Sequence, residues 1–236
     1  MHLMKILQLV SLFFVTSAGQ CHAGVIFSQD PVPISTGSYW VSDDAAGFYP
    51  TISWRTYDSF ILGQDSYITG VKWRGAYWAE INRQNNPVFP DTVSWDVGIF
   101  ADASGSAAST IVDENFAVAS VDSTFIGINT FRGDATRMYE FSIDFAAPVF
   151  VQAGIQYWFS PRSRSTNREH LFLFSQGLGG DGTSLQTNLA LGRTFVRHGD
   201  RAFQLRGSTV PEPTSLLAWS LLGMFASCFR SRRRVT

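Results

Sequence analysis

Between residues 24 and 207 the chain alternates apolar and polar positions with a period of two. This is the spacing of a strand with one buried face, because successive side chains of a strand point to opposite sides. Val71 and Trp73 alternate with Lys72 and Arg74, and Val93, Trp95, Val97 and Ile99 alternate with Ser94, Asp96 and Gly98. Tyr139, Phe141, Ile143 and Phe145 alternate with Glu140, Ser142 and Asp144. Ile155, Tyr157 and Phe159 point opposite to Gln156 and Trp158, Leu171 to Phe174 is apolar on both faces, and Ala202 to Leu205 closes the series. Shorter strands are predicted at 25–27, 52–57, 67–68, 111–119 and 189–196. Asn85-Asn86-Pro87, Asp102-Ala103-Ser104-Gly105, Arg132-Gly133-Asp134 and Gly179-Gly180-Asp181-Gly182 supply turns between them. About ten strands in such a length predict an all-β fold, a two-sheet antiparallel β-sandwich that is jelly-roll-like. An immunoglobulin-like sandwich is the alternative, disfavoured by the length and by the lack of paired cysteines.

Two apolar runs break the alternation. Residues 1–23 read as a signal peptide: Lys5 gives the positive start, Ile6 to Val15 the apolar core, and Cys21-His22-Ala23 a small-x-small cleavage site. Cleavage is expected after Ala23, with Gly19 as the second choice. Cys21 is not expected to carry a lipid, because Gln20 stands where that signal wants a small residue. Residues 208–236 hold Pro211-Glu212-Pro213, then an apolar run from Ser215 to Phe229, then Arg230, Arg232, Arg233 and Arg234. As a helix the apolar run spans about 22 Å, short for a bilayer core of about 30 Å. A weak anchor of this kind suits a temporary stop, and the arginines keep its end cytoplasmic and the body outside. The prolines remove backbone donors and keep the chain extended, which suits a protease, and Glu212 adds a charge for recognition.

The three-part order of the tail resembles the PEP-CTERM sorting signal of exported bacterial proteins. The run Ile68-Thr69-Gly70-Val71-Lys72-Trp73-Arg74-Gly75-Ala76-Tyr77 is similar to a strand that recurs in domains carrying such tails. Trp95 to Gly105 and Gly154 to Ser160 follow in the usual order. The resemblance implies an exosortase-type membrane protease as partner, acting near Pro211, Glu212 and Pro213. It also implies transient anchoring in the cytoplasmic membrane by a short C-terminal hydrophobic helix, then delivery to the cell surface or an exopolysaccharide matrix. It implies no chemistry for the body.

Composition narrows the body further. Without Lys5, Glu212 and the four tail arginines it carries 13 basic and 18 acidic residues, a net −5. Nucleic acid is not an expected partner, since phosphate binding needs a concentrated basic surface. Cys21 and Cys228 both lie outside the body, so it has no disulfide and no thiolate metal site. His170 and His198 stand without a nucleophile elbow and read as loop histidines. Glu140 and Asp144 share a strand face about 13 Å apart, beyond the separation of about 5–9.5 Å that glycoside hydrolysis uses. No enzyme activity is expected, a glycoside hydrolase being the remote alternative.

Two binding chemistries remain. Asp43, Asp44, Asp102 and Asp181 lie in Gly- and Ser-containing segments that suit Ca²⁺, although such residues make Asx-turns without any metal and the turn reading is preferred. No cofactor is therefore expected, Ca²⁺ being the candidate if there is one. Tyr77, Trp78 and Trp158 are candidate sugar-stacking rings for an extracellular carbohydrate-binding module, whereas Trp73 and Trp95 belong to the core by their alternation.

Overall fold

The computed structural model describes residues 24–34, 37–44, 53–79, 92–131, 134–165 and 170–211. These form β1 (Gly24–Pro31), β2 (Tyr39–Val41), β3 (Trp54–Ile61), β4 (Ser66–Ala79), β5 (Thr92–Asp102), β6 (Ala107–Ala117) and β7 (Asp122–Phe131). The series continues with β8 (Asp134–Val151), β9 (Gln156–Ser165), β10 (His170–Ser175), β11 (Gly177–Leu178), β12 (Thr183–Asn188), β13 (Arg193–His198) and β14 (Phe203–Thr209).

The strands make two antiparallel sheets packed as a sandwich. The first runs β11-β1-β14-β4-β10-β2, with β8 on the other edge of β4 and β7 beyond it; the second runs β13-β12-β3-β9-β5-β6. Strand β4 organises the first sheet. Its first half pairs with β14 and its second half with β10, while β8 runs along its full length in register Trp73↔Phe141.

The alternation explains the layers. Val71 and Trp73 of β4, Phe141 and Ile143 of β8, and Phe172 of β10 face Trp95, Val97 and Ile99 of β5 and Phe159 of β9. Aromatic rings carry the contact between the sheets: Trp95 lies 4.7 Å from Phe172, 4.9 Å from Phe141 and 5.4 Å from Trp73, centroid to centroid, while Trp73 stacks on its strand neighbour Phe141 at 5.5 Å. Offset and edge-on pairs of this kind add about 0.5–1.5 kcal/mol each beyond their buried area. Trp73 and Trp95 are buried, as their alternation predicts.

Gly70 and Gly75, inside the run 68–77, are steric requirements. A Cβ on Gly75 would stand 2.1 Å from Cε2 of Phe172, and one on Gly70 2.6 Å from the Ile143 carbonyl. Tyr77 closes the run by packing on Trp95, Phe141 and Phe172.

Several elements differ from the expectation. The strand predicted at 189–196 is the β12–β13 turn followed by β13: Asn188 Oδ1 accepts from Leu191 N at 3.0 Å and Gly192 takes φ 62°. The polar sequence of β12 hides a strand because Ser184, Gln186 and Asn188 are buried with hydrogen-bond partners. Gly207 to Thr209 form the end of β14, paired to Ser66–Ile68.

Candidate functional site

Three carboxylates from distant parts of the sequence converge at one end of the second sheet. Asp58 lies on β3, Asp181 in the turn between β11 and β12, and Asp200 between β13 and β14; one oxygen from each lies within 4.8 Å of the others. Asp58 and Asp200 are buried and Asp181 is exposed. The turn 179–182 is built around Asp200, whose Oδ2 accepts Gly180 N at 2.9 Å and whose Oδ1 accepts Gly182 N at 2.7 Å. Gly179 and Gly182 take φ 98° and 80°, where a side chain is strained. Asp181 Oδ1 accepts Thr183 N and Oγ1, both at 2.8 Å, while its Oδ2 accepts Ser59 Oγ at 3.3 Å.

Asp58 is held by the backbone N–H of Arg201 and by Ser59 N at 2.9 Å. Burial raises its carboxyl well above the usual carboxylate range; the Arg201 N–H opposes the rise and the Asp200 charge adds to it. Arg201, fully buried, donates to the carbonyls of Phe174, His198 and Gly199. Burial lowers its guanidinium to about 10, with Asp58 and Asp200 opposing the fall. Among the described residues no cation lies within ion-pair distance of any of the three carboxylates.

The other aspartates that were candidate Ca²⁺ ligands have separate structural partners. Asp43 Oδ2 accepts Phe172 N at 2.9 Å and Ser165 Oγ at 2.8 Å. Asp44 pairs with Arg162 at 3.4 Å. Asp102 caps the β5–β6 turn through Gly105 N at 3.2 Å and accepts Trp158 Nε1 at 2.8 Å. Of the four, Asp181 alone joins the cluster. Asp58 and Asp200 were not singled out in the sequence. The available signal was Asp58 itself, a polar residue on the same strand face as Phe60.

The outer face of the second sheet carries a charge network. Arg55 holds Asp113 through two bonds of 2.7 Å. Asp96 takes Arg162, Arg164 and Asn115. Burial alone would raise the Asp96 carboxyl, but the bonds from Arg164, Arg162 and Asn115 hold it below its ordinary value. Every charge here has its partner, which suits a structural role.

The sugar-stacking candidates fare differently. Trp158, expected on the surface, is 3% exposed. It packs with Tyr57, Phe100 and Leu185 in a second apolar cluster, on the face of the sheet away from the main core. Tyr77 is half-buried with its ring packed against the main core. The Trp78 side chain lies outside the described residues, as does that of His170, while His198 is exposed. Glu140 pairs with Lys72 at 2.6 Å, and Asp144 with Arg206 at 3.1 Å.

Pro211 is exposed at the end of the described chain; Glu212, Pro213, Arg230, Arg232, Arg233 and Arg234 lie outside the described residues, as do residues 1–23. The chain matches no protein-family model and no curated protein.

Proposed function

We propose that the protein is an exported β-sandwich of the cell envelope or exopolysaccharide matrix, sorted through Pro211-Glu212-Pro213, the apolar run and the arginines of its tail. The observation that supports this reading is the end of the last strand, β14, at Thr209. Val210 N donates to Asp65 O at 2.7 Å, the last described backbone bond, and Pro211 after it is exposed. Pro211, the first residue of the Pro-Glu-Pro segment, is thus exposed two residues after β14, where an exosortase-type membrane protease would reach it. Before that cut the apolar segment holds the protein in the cytoplasmic membrane with the body outside; after it the body is free for the surface or matrix.

The jelly-roll reading of the sandwich is supported by strand order. With β2, β7 and β10–β13 taken as additions, the sheets run β1-β14-β4-β8 and β3-β9-β5-β6. First and last strands are thus neighbours, and the chain crosses repeatedly between sheets, as a jelly roll requires.

The role is structural and non-catalytic in this reading. It is favoured over the carbohydrate-binding alternative because Trp158 and Tyr77 are committed to packing. It is favoured over a glycoside hydrolase because Glu140 and Asp144 are each held by their own cation.

Mass spectrometry of the protein from its native envelope tests the sorting. The expected mass ends near Glu212. An intact tail on the surface-delivered protein sinks the proposal.

A further inference from the structure

We propose that Asp58, Asp181 and Asp200, together with the Gln29 carboxamide, form a Ca²⁺ site that ties the β11–β12 turn and the β13–β14 connection to β3. This is independent of how the tail is processed.

The first argument is distance. Ca²⁺ binds oxygen at about 2.3–2.6 Å, so two oxygens on one ion stand at most about 5 Å apart. The three carboxylate oxygens lie within 4.8 Å of one another and meet that limit. Each is already oriented by a hydrogen bond from a neighbouring segment, through Arg201 N, Thr183 N, or Gly180 and Gly182 N. A carboxylate oxygen keeps a further lone pair after such a bond.

The second argument is the Gln29 side chain on β1. It is fully buried, and its Oε1 has no partner. Its carboxamide lies beside the cluster: Nε2 donates to the carbonyl of Ser59, the residue after Asp58, at 3.2 Å. A Cβ on Gly180 would stand 2.3 Å from that Nε2 and 2.6 Å from Asp200 Oδ1, so the carboxamide stands across from the Asp200 carboxylate with Nε2 as its nearer end; turning the amide over would bring Oε1 to that place. A buried amide oxygen without a donor is costly, and a hard cation accepts it. The same point explains Gly180, where any side chain would fill the space between Gln29 and Asp200.

The third argument is charge. The Arg201 backbone holds Asp58, yet its guanidinium donates to three backbone carbonyls and to none of the three carboxylates. Buried carboxylates need a paired cation or a metal. The donor set is all oxygen, which favours Ca²⁺ over softer metals. Mg²⁺ demands a tighter octahedral shell and gives up its waters reluctantly, so it should bind more weakly.

The test is calorimetric titration of the EDTA-stripped full chain with CaCl₂ and MgCl₂, with thermal unfolding followed in parallel. The expected result is one saturable Ca²⁺ per chain, with Kd on the order of 10⁻⁴–10⁻³ M as in extracellular modules. At about tenfold excess over Kd, the Tm should rise by about 3–5 °C. Asp181→Asn, at an exposed position that leaves the fold intact, should weaken Ca²⁺ at least about tenfold. Gln29→Met should weaken it too, and Asp122→Asn, at an exposed aspartate on β7, should leave it unchanged. The absence of a Ca²⁺-dependent signal in the parent chain overturns the proposal. So does undiminished affinity in both Asp181→Asn and Gln29→Met, or an equal loss in Asp122→Asn.

Discussion

Replacing Asp43 by Asn should remove a pH dependence that the parent protein carries between the acid range and neutrality. Asp43 is fully buried in the segment that joins the two sheets, where Ser42 N donates to Phe172 O and Ser163 N to Ser42 O. Its carboxyl is pushed up to about 7 by burial, against the opposing hydrogen bonds from Phe172 N and from Ser165 and Ser163. Oδ1 has no partner. The folded state therefore holds the proton more tightly than the unfolded chain, whose carboxyl titrates near 3.8. The stabilisation is complete below the unfolded value and is lost as pH rises through the folded one. About three units at 1.36 kcal/mol each give a fall on the order of 4 kcal/mol. The substituted carboxamide would keep an oxygen for Phe172 N and Ser165 Oγ but cannot ionise. Its unpaired amide donor imposes a cost that does not vary with pH, so the readout is the slope and not the offset. Urea unfolding followed by tryptophan fluorescence, at steps from pH 4 to 8 (about one step per half unit), gives the difference between the two proteins. Titrations shared by both, including that of Asp96, cancel. The difference should move in favour of Asp43→Asn by several kcal/mol across the window. A difference flat to within about 1 kcal/mol would mean that Asp43 ionises freely in the folded protein, and the burial argument would be wrong.

Gly75→Ala should destabilise by about 3 kcal/mol, because the new methyl meets the Phe172 ring and the Leu173 carbonyl, at 2.7 Å, on the paired strand; a urea midpoint unchanged from the parent would show that β10 yields easily. Trp158→Ala should cost about 3–5 kcal/mol through the cavity left beside Tyr57, Phe100 and Leu185. Trp158→Phe, losing chiefly the bond to Asp102, should cost about 1–2 kcal/mol. If Trp158→Ala were neutral in stability yet abolished binding on a glycan array, the ring would be a sugar platform after all.

Alternation made much of the fold legible. It assigned the inward faces of β4, β5, β8 and β9 and put Trp73 and Trp95 in the core. It misread Trp158, because a period of two says which residues share a face and not whether that face is covered. The second cluster on the outer face needs Leu185 from β12 beside Tyr57 from β3, a pairing fixed by sheet order. Strand β12 was illegible because its inward residues are polar and rely on hydrogen bonds where other strands rely on apolar area. The carboxylate cluster was legible only at Asp181. Its turn announced itself through glycines, while Asp58 and Asp200 reach it through strand pairing that no local pattern encodes.

The buried aspartates share one cause and differ in how their charge is met. A body without cysteines has no disulfide to join distant segments, so its cross-links must be non-covalent. A buried carboxylate that accepts backbone N–H groups from another segment is one such link, and three recur: Asp43 to Phe172, Asp200 to Gly180 and Gly182, and Asp58 to Arg201. Each link brings a desolvation cost. Asp96 meets it with Arg162 and Arg164, at 2.5 and 2.9 Å. Asp43 has no charged partner among the described residues and meets it by holding a proton. Burial, with the Asp200 charge nearby, raises the Asp58 carboxyl, and a proton on Asp58 would still leave the buried oxygen of Gln29 unpaired. A divalent ion would satisfy both requirements at once, in a corner that lacks a salt bridge among the described residues and holds a buried amide oxygen without a partner beside its carboxylates.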